Sequence, residues 1–239
     1  ASYAAGFRTP TLSELYATDI AKKNDRLTIG NLDLKPEKNN YFSLSAEYVH
    51  ERFSVSVNAF YNNIRDMIDY NTIATGDKAM EQYGHKEVRQ RDNIAEAKVH
   101  GINVSANAYL GAGFNLSGGY THLNTQDVEL EQPIDKSIKN AYNINAQWAH
   151  SWKIYRLNIN LNGRINSKRF SKSYGYAPEY QLWDLNTRHS FNLKSVIIEP
   201  GCGMENLFDY MDDRPYNSNY ATLTPGRSFY ISLSLKFKS

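Results

Sequence analysis

The side chains in this 239-residue sequence best able to do chemistry sit in polar segments between regular runs. Lys22, Lys23, Asp25 and Arg26 crowd one such segment, and His85 follows Tyr83 in another. Tyr174 and Tyr176 flank a glycine in a third, and Tyr216 and Tyr220 bracket Asn-Ser-Asn in a fourth. Tyrosine on a loop gives large contact area at small entropic cost, which suits a planar macrocycle or a protein partner. The six histidines are His50, His85, His100, His122, His150 and His189, and none has metal-ligand spacing to another. All but His85 lie on or beside alternating runs, as interface or lumen residues would. A water-activating site would need an acidic pair and an Asp–His pair. Asp212 with Asp213, the rim-like Asp92, and the loosely spaced His122 and Asp127 are the nearest approach. The sequence contains no nucleophile elbow, zinc motif or phosphate loop. These residues therefore read as a binding set, with neither a metal centre nor a bound cofactor of the chain's own.

The segments that must position them alternate with a period of two. Phe229, Ile231, Leu233, Leu235 and Phe237 share one face of a strand, and Tyr230, Ser232, Ser234 and Lys236 the other. The same dyad runs through Phe53–Tyr61, through Ile102–Leu110, and through Tyr155–Ile165, where Arg156, Asn158, Asn160, Asn162 and Arg164 form an unbroken polar row. A soluble sandwich strand fits that pattern, and a wet lumen fits it at least as well. Breaks between runs alternate in length. Short ones fall near residues 50–52, 111–113, 151–153 and 193–194. Long polar ones cover roughly 9–38, 72–88, 124–140, 168–178 and 210–224. Tight turns on one side and long loops on the other characterise outer-membrane barrels. About ten strands are expected, at roughly 1–8, 39–50, 52–70, 89–110, 113–123, 141–150, 154–167, 180–192, 195–207 and 225–237.

Composition is compatible with this. Mean hydropathy is −0.60, and no run of about 18 apolar residues would make a spanning helix. A barrel shows lipid only alternate residues, so low hydropathy does not count against it. Eighteen tyrosines, against ten Phe and three Trp, suit a membrane–water interface. A net charge of +2 points to no polyanionic partner, nucleic acid included, and the single Cys202 excludes an internal disulfide.

Ordered short motifs sharpen the reading. Gly6-Phe7-Arg8-Thr9-Pro10 opens the first long break, and Gly30-Asn31-Leu32-Asp33-Leu34-Lys35-Pro36-Glu37 closes it. Asn206-Leu207-Phe208-Asp209 ends one strand, and Thr224-Pro225-Gly226-Arg227 precedes the last. Weaker matches lie at residues 61–68 and 93–101. Taken in order, the set resembles the C-terminal half of the barrel of TonB-dependent outer-membrane receptors, over essentially the whole chain. Three departures stand out: Thr9 for the family's usual Ala, Leu32 for its usual Pro, and Lys238-Ser239 after the terminal aromatic. Locally, Pro10 and Pro36 end strand pairing at the lip. Arg8 and Glu37 are placed to pair across the loop base. Asn206 and Asp209 are placed to cap a corner, and Gly226 to adopt a backbone conformation that other residues avoid.

The resemblance implies an all-β fold: an antiparallel transmembrane β-barrel whose ten or so meandering strands form the C-terminal part of a barrel of about 22. It implies residence in the outer membrane of a Gram-negative-type cell as a multi-pass barrel. The implied function is TonB-coupled uptake of a scarce, bulky nutrient such as an iron chelate, haem or cobalamin, with no covalent chemistry. The implied partners are the N-terminal half of the receptor with its plug domain, a TonB-type energy coupler acting through that plug, membrane lipid and the nutrient. Residues 1–239 are expected to be one portion of a longer receptor, with Ala1–Phe7 pairing outside the chain. Haem receptors of this family commonly carry a histidine ligand between the first two motifs. Residues 11–29 hold none here, which makes His85 the best-placed substitute. The expected ligand set is Lys22, Lys23, Arg26, Tyr83, His85, Tyr174, Tyr176, Tyr216 and Tyr220. The alternative is a self-contained ten-stranded barrel, such as an omptin-like protease or an adhesin.

Overall fold

A computed structural model describes residues 1–172, 175–212 and 224–238. Ten strands follow one another through the main sheet: β1 (Ser2–Arg8), β4 (Glu37–Val49), β5 (Phe53–Thr75), β6 (Glu87–Gly111), β7 (Phe114–Asp127), β8 (Asn140–Trp152), β9 (Tyr155–Asn166), β12 (Tyr180–Asn192), β13 (Val196–Glu205) and β14 (Ser228–Phe237). Neighbours in that list are hydrogen-bonded, and β1 and β14 are its two end strands. The expected strands are all present, most with bounds shifted by a few residues.

The long breaks hold structure of their own. The first carries α1 (Leu12–Tyr16) and a hairpin of β2 (Thr18–Ala21) and β3 (Arg26–Ile29). The second carries α2 (Gly76–Tyr83), and β10 (Arg169–Ser171) pairs with β11 (Gly175–Ala177) in a small hairpin. Helix α1 forms at Thr11-Leu12-Ser13-Glu14 because that spacing is a capping box: the Thr11 hydroxyl accepts from the Glu14 amide, and the Glu14 carboxylate from the Thr11 amide. Gly84 ends α2 in the left-handed region, at φ 72.

Contacts divide the chain into two compact units. The first is Ala1–Ser43, Phe60–His100 and Thr125–Pro133. It contains the first two long breaks, with β3 running parallel to β6 in the register Arg26↔Glu87 and Thr28↔Arg89. Its buried apolar residues include Leu34, Ile68, Ala79 and Val88.

The second unit is Leu44–Ala59, Gly101–Asn124 and Ile134–Ser239. Its strand registers separate two faces. Ile159 lies between Trp148 and Thr187, and Leu161 between Ala146 and Leu185. Asn160 lies between Gln147 and Asn186 on the opposite face. The polar face is cross-bonded: Asn58 donates to Ser45 at 2.7 Å, Ser56 meets Ser105 at 2.7 Å, and Thr121 donates to Asn103 at 3.0 Å. Asn145 donates to both Asn160 and Asn162, at 2.7 and 2.6 Å.

The apolar face has no such partner. Ile231 is 88% exposed and Phe237 81%, along a strand whose other face carries Ser228, bonded to Glu205, and Lys236, paired with Glu199. A soluble sandwich would cover that face with a second sheet. The second sheet among the described residues is the two-stranded β10–β11 hairpin. Rings gather at the short-turn end of β8, β9 and β12. Trp152 stacks on Tyr155 at 5.5 Å, Tyr155 meets Phe191 at 5.0 Å, and the Tyr155 hydroxyl lies 2.7 Å from His189 Nδ1. Amphipathic rings in that place are what a membrane interface favours.

Candidate functional site

The first long break is closed at its base by one guanidinium. Arg8 ends β1 and donates from Nε and Nη2 to the two oxygens of Glu37, at 2.7 and 2.6 Å. Its Nη1 also reaches Glu14 at 3.0 Å. Glu37 accepts in addition from the Ile68 amide at 2.9 Å, so this carboxylate joins β1, β4 and β5. Hydrogen bonding from Arg8, assisted by the Thr11 amide and hydroxyl, holds the Glu14 carboxyl down at about 2. The pair expected from sequence exists, and it is half of a three-residue network.

The second motif packs on the first. Asn31 turns its own chain by accepting from the Asp33 amide at 2.9 Å, and its amide reaches the Glu14 carbonyl at 3.0 Å. Leu34 is buried. Lys35 is clamped by Asn93, which accepts from its amide at 2.7 Å and donates to its carbonyl at 2.9 Å. Asn93 also donates to the Asp66 carbonyl at 2.6 Å. Phe7 is exposed, Pro10 half-buried and Pro36 exposed.

The candidate ligand residues divide accordingly. Lys22 and Lys23 are exposed on the β2–β3 turn, and Arg26 begins β3. Tyr83 ends α2, and His85 follows its C-cap. The structure brings these two clusters together. His85 Nδ1 lies 2.9 Å from Asp25 Oδ1, and the Lys86 amide donates to the Asp25 carbonyl at 3.0 Å. The His85 hydrogen bond lowers the Asp25 carboxyl below its ordinary range. His85 therefore ties two loops together. Tyr176, on β11, is exposed and packs edge-on against Phe170 at 5.3 Å. Tyr174, Tyr216 and Tyr220 lie outside the described residues.

Near the chain's end a second corner is built on Asn206, which is buried with φ 52. Its side chain donates to the carbonyls of Tyr210 and Pro225, at 2.8 and 3.1 Å, and accepts from the Tyr210 amide at 2.8 Å. Its own amide is taken by Asp184 at 2.9 Å. Asp209, at φ 55, accepts from the Arg227 amide at 2.7 Å. The Leu207 amide donates to the Trp183 carbonyl at 2.6 Å, and Phe208 stands edge-on to the Trp183 ring at 6.4 Å. The two expected caps thus also join the third motif to the fourth. Gly226 corrects an expectation: its φ is ordinary, and a side chain there would press on Asp209 and Met211 at 3.2 and 3.3 Å. Close approach, and not a left-handed backbone, makes glycine suitable.

Among the described residues the catalytic alternatives find no geometry. His122 Nδ1 lies 2.8 Å from Asn140 Oδ1, and Asp127 caps its own turn by accepting from the Leu130 amide at 3.1 Å. Asp92 accepts from Asn71 at 3.3 Å, and Asp213 lies outside the described residues. Among the described residues no cluster of three or more His, Cys, Asp or Glu side chains could hold a metal. Sequence reading missed Asn93, Asp184 and the Arg91–Tyr70 stack, whose partners are far away along the chain.

Residues 1–207 match the family model described as TonB dependent receptor-like, beta-barrel. Solved structures are similar over nearly all of this chain. One is a mutant of the ferric enterobactin receptor PfeA of Pseudomonas aeruginosa, at 20% identity and a TM-score of 0.72, covering 99% of this chain and 37% of that one. Another is the copper transporter OprC, at 13% identity and 0.70, covering 99% and 36%. A third is BauA, the ferric preacinetobactin receptor of Acinetobacter baumannii, at 16% identity and 0.68, covering 98% and 33%. This chain spans about a third of the length of these proteins.

Proposed function

Because the chain belongs to the TonB-dependent receptor β-barrel family, we propose that it is the C-terminal part of a barrel that takes up a scarce, bulky nutrient, with an energy coupler of the TonB type supplying the work. The family resides in the outer membrane, and it consists of transporters and receptors, which sets the protease alternative aside. In this reading the remaining strands and a plug domain come from the rest of the receptor, and the coupler acts through that plug.

One observation carries the reading. The two faces of the second unit's strands differ as a lipid-facing and a lumen-facing wall must: the first is apolar and uncovered, the second a ladder of bonded Asn, Ser and Thr. Within the first unit, two loops are joined through Asp25 and His85, and Arg8 and Glu37 close the base of the first of them. The nutrient is a metal chelate or tetrapyrrole: a ferric siderophore, haem or cobalamin. The names of the similar structures, a copper transporter and two ferric siderophore receptors, support the metal-bearing class.

The test is nutrient-limited growth. A strain lacking the whole receptor is given it back and supplied in turn with haem, cobalamin or ferric siderophores as sole source. Growth restored by one of them, and abolished when the energy coupler is depleted, is expected. Alanine at Tyr83 and Tyr176 should weaken affinity for that nutrient at least tenfold. Growth that is indifferent to the coupler would overturn the function. Unchanged affinity would assign the loops a structural role.

A further inference from the structure

Beside the Arg8 network, the first unit holds a second basic cluster, which shares Arg26 with the expected ligand set and is otherwise unused by the uptake reading. A cavity of about 210 Å3 lies between α1, the β2–β3 hairpin and the outer parts of β5 and β6. The parallel register of β3 on β6 sets Arg26 beside Glu87 and Thr28 beside Arg89, and Arg91 follows two residues on. Three guanidinium groups thus line one small space, against the single carboxylate of Asp19.

Two of the three are accounted for. Arg89 donates from Nε to Glu87 at 2.6 Å. Arg91 lies over the Tyr70 ring, 3.6 Å from its centroid, and donates from Nη2 to the Tyr70 hydroxyl at 2.5 Å. Stacking fixes its plane without neutralising its charge. Arg26 is different. Its Nε is enclosed and finds no acceptor among the described residues, and no ion pair involves it there. Enclosed donors are normally bonded, and enclosed charges normally paired. Crowding two further guanidinium groups around it makes the missing partner an anion. Gly30 lines this cavity and lets its strand end pack closely on α1, because a side chain there would strike the Leu15 carbonyl at 2.5 Å.

We propose that Arg26, Arg89 and Arg91 form a binding pocket for a compact oxyanion, a carboxylate or phosphate group on a small soluble molecule. Planar guanidinium groups hold such oxygens two at a time, and Arg26 Nε supplies a donor that nothing else among the described residues uses. A volume of about 210 Å3 admits a group the size of citrate and excludes a tetrapyrrole. The pocket is therefore a different site from the tyrosine-bearing loops. Its occupancy does not depend on transport.

The test uses the full receptor in nonionic detergent, titrated calorimetrically with citrate and, separately, with inorganic phosphate. Saturable single-site binding of at least one anion is expected. It should weaken at least tenfold in Arg26→Gln and in Arg91→Gln, partly recover in Arg26→Lys, and stay unchanged in Lys78→Gln, an exposed cation on α2 that does not line the cavity. No saturable binding of either anion, or equal weakening in Lys78→Gln, would overturn the proposal. Should the arginine variants fail to fold, the unaltered receptor decides. Bound anion should protect Arg26 from phenylglyoxal, read by peptide mass, and absence of protection refutes the pocket. Neither measurement involves uptake, so a receptor that binds citrate without supporting coupled growth would sink the uptake reading and leave this one standing.

Discussion

Arg8 grips both carboxylate oxygens of Glu37, Nε at 2.7 Å and Nη2 at 2.6 Å, across 29 residues of sequence. The side chain of Arg8 is 44% exposed, yet that of Glu37 is only 14% exposed and also accepts from a strand amide. Water screens the cation more than it screens the anion. The network therefore closes a loop at its base and is no free surface pair.

Arg8→Gln should cost about 1–2 kcal/mol, above the typical exposed pair because the contact is bidentate and shared with Glu14. Arg8→Lys should fall between, since it keeps the charge and loses the fork. The midpoint of urea unfolding of the full receptor measures both. Limited proteolysis within residues 9–36 should rise in the same order. A Gln variant as stable and as resistant as the parent would reduce the network to decoration.

The same network predicts a pH response with a definite sign. Bonding to Arg8 first, and to Thr11 second, lowers Glu14 from the ordinary 4.5 to about 2. A lowered carboxyl stabilises the fold where it is ionised in both states. The contribution is therefore complete above about pH 4.5 and disappears as pH falls through about 2. Carbon-13 titration of a labelled Glu14 carboxyl should show the low midpoint in the parent and one near 4.5 in Arg8→Gln. Equal midpoints would mean that Arg8 does not hold the group.

Asn206 combines two requirements that no other residue type meets so well. It accepts a left-handed backbone at φ 52, and its amide group bonds Tyr210 and Pro225 from a buried position. Asn206→Ala loses both, and should destabilise the receptor by about 2–3 kcal/mol. Asn206→Gly loses only the bonds, and should be more stable than the alanine variant by about 1 kcal/mol. Equal stability of the two would show that the backbone conformation carries no cost.

These residues also show what a sequence can reveal. The strands were legible because alternation is local: each residue of Tyr155–Ile165 declares its face by its own polarity. Asn206 and Asp209 were legible because they act within a few residues of themselves. Helix α1 left a local signature, Thr11 three residues before Glu14, inside what otherwise read as a polar break. The clamp of Asn93 on Lys35 spans 58 residues, and no local pattern marks it. The meeting of Arg26 with Arg89 and Arg91 depends on a parallel strand pair formed by a loop hairpin, which alternation alone does not announce. His85 shows the same limit from the other side. Its residue type suggests a ligand, and no local pattern announces the contact with Asp25, 60 residues away, by which it also ties two loops.

The two faces of β9 give the sharpest test of the membrane reading. Ile159 stands between Trp148 and Thr187, on the face that no second sheet covers among the described residues beyond the small β10–β11 hairpin. Asn160 stands between Gln147 and Asn186, on the face that bonds to itself. The same division predicts that Phe42, Leu44, Val55, Val57, Val104, Ala106, Leu157, Leu161, Leu233 and Leu235 meet lipid, and that Ser43, Ser54, Asn103, Asn158, Ser232 and Ser234 meet the lumen. Arginine near mid-membrane on the lipid side of such a barrel costs roughly 2–4 kcal/mol, because its charge has to leave water. On the lumen side it keeps its hydration, so Asn160→Arg should cost little. Unfolding of the full receptor in lipid vesicles, compared for Ile159→Arg and Asn160→Arg, measures the difference directly. Equal penalties, or a larger one at Asn160, would mean that the polar face is the one shut away from water, and the assignment of lipid and lumen would have to be reversed.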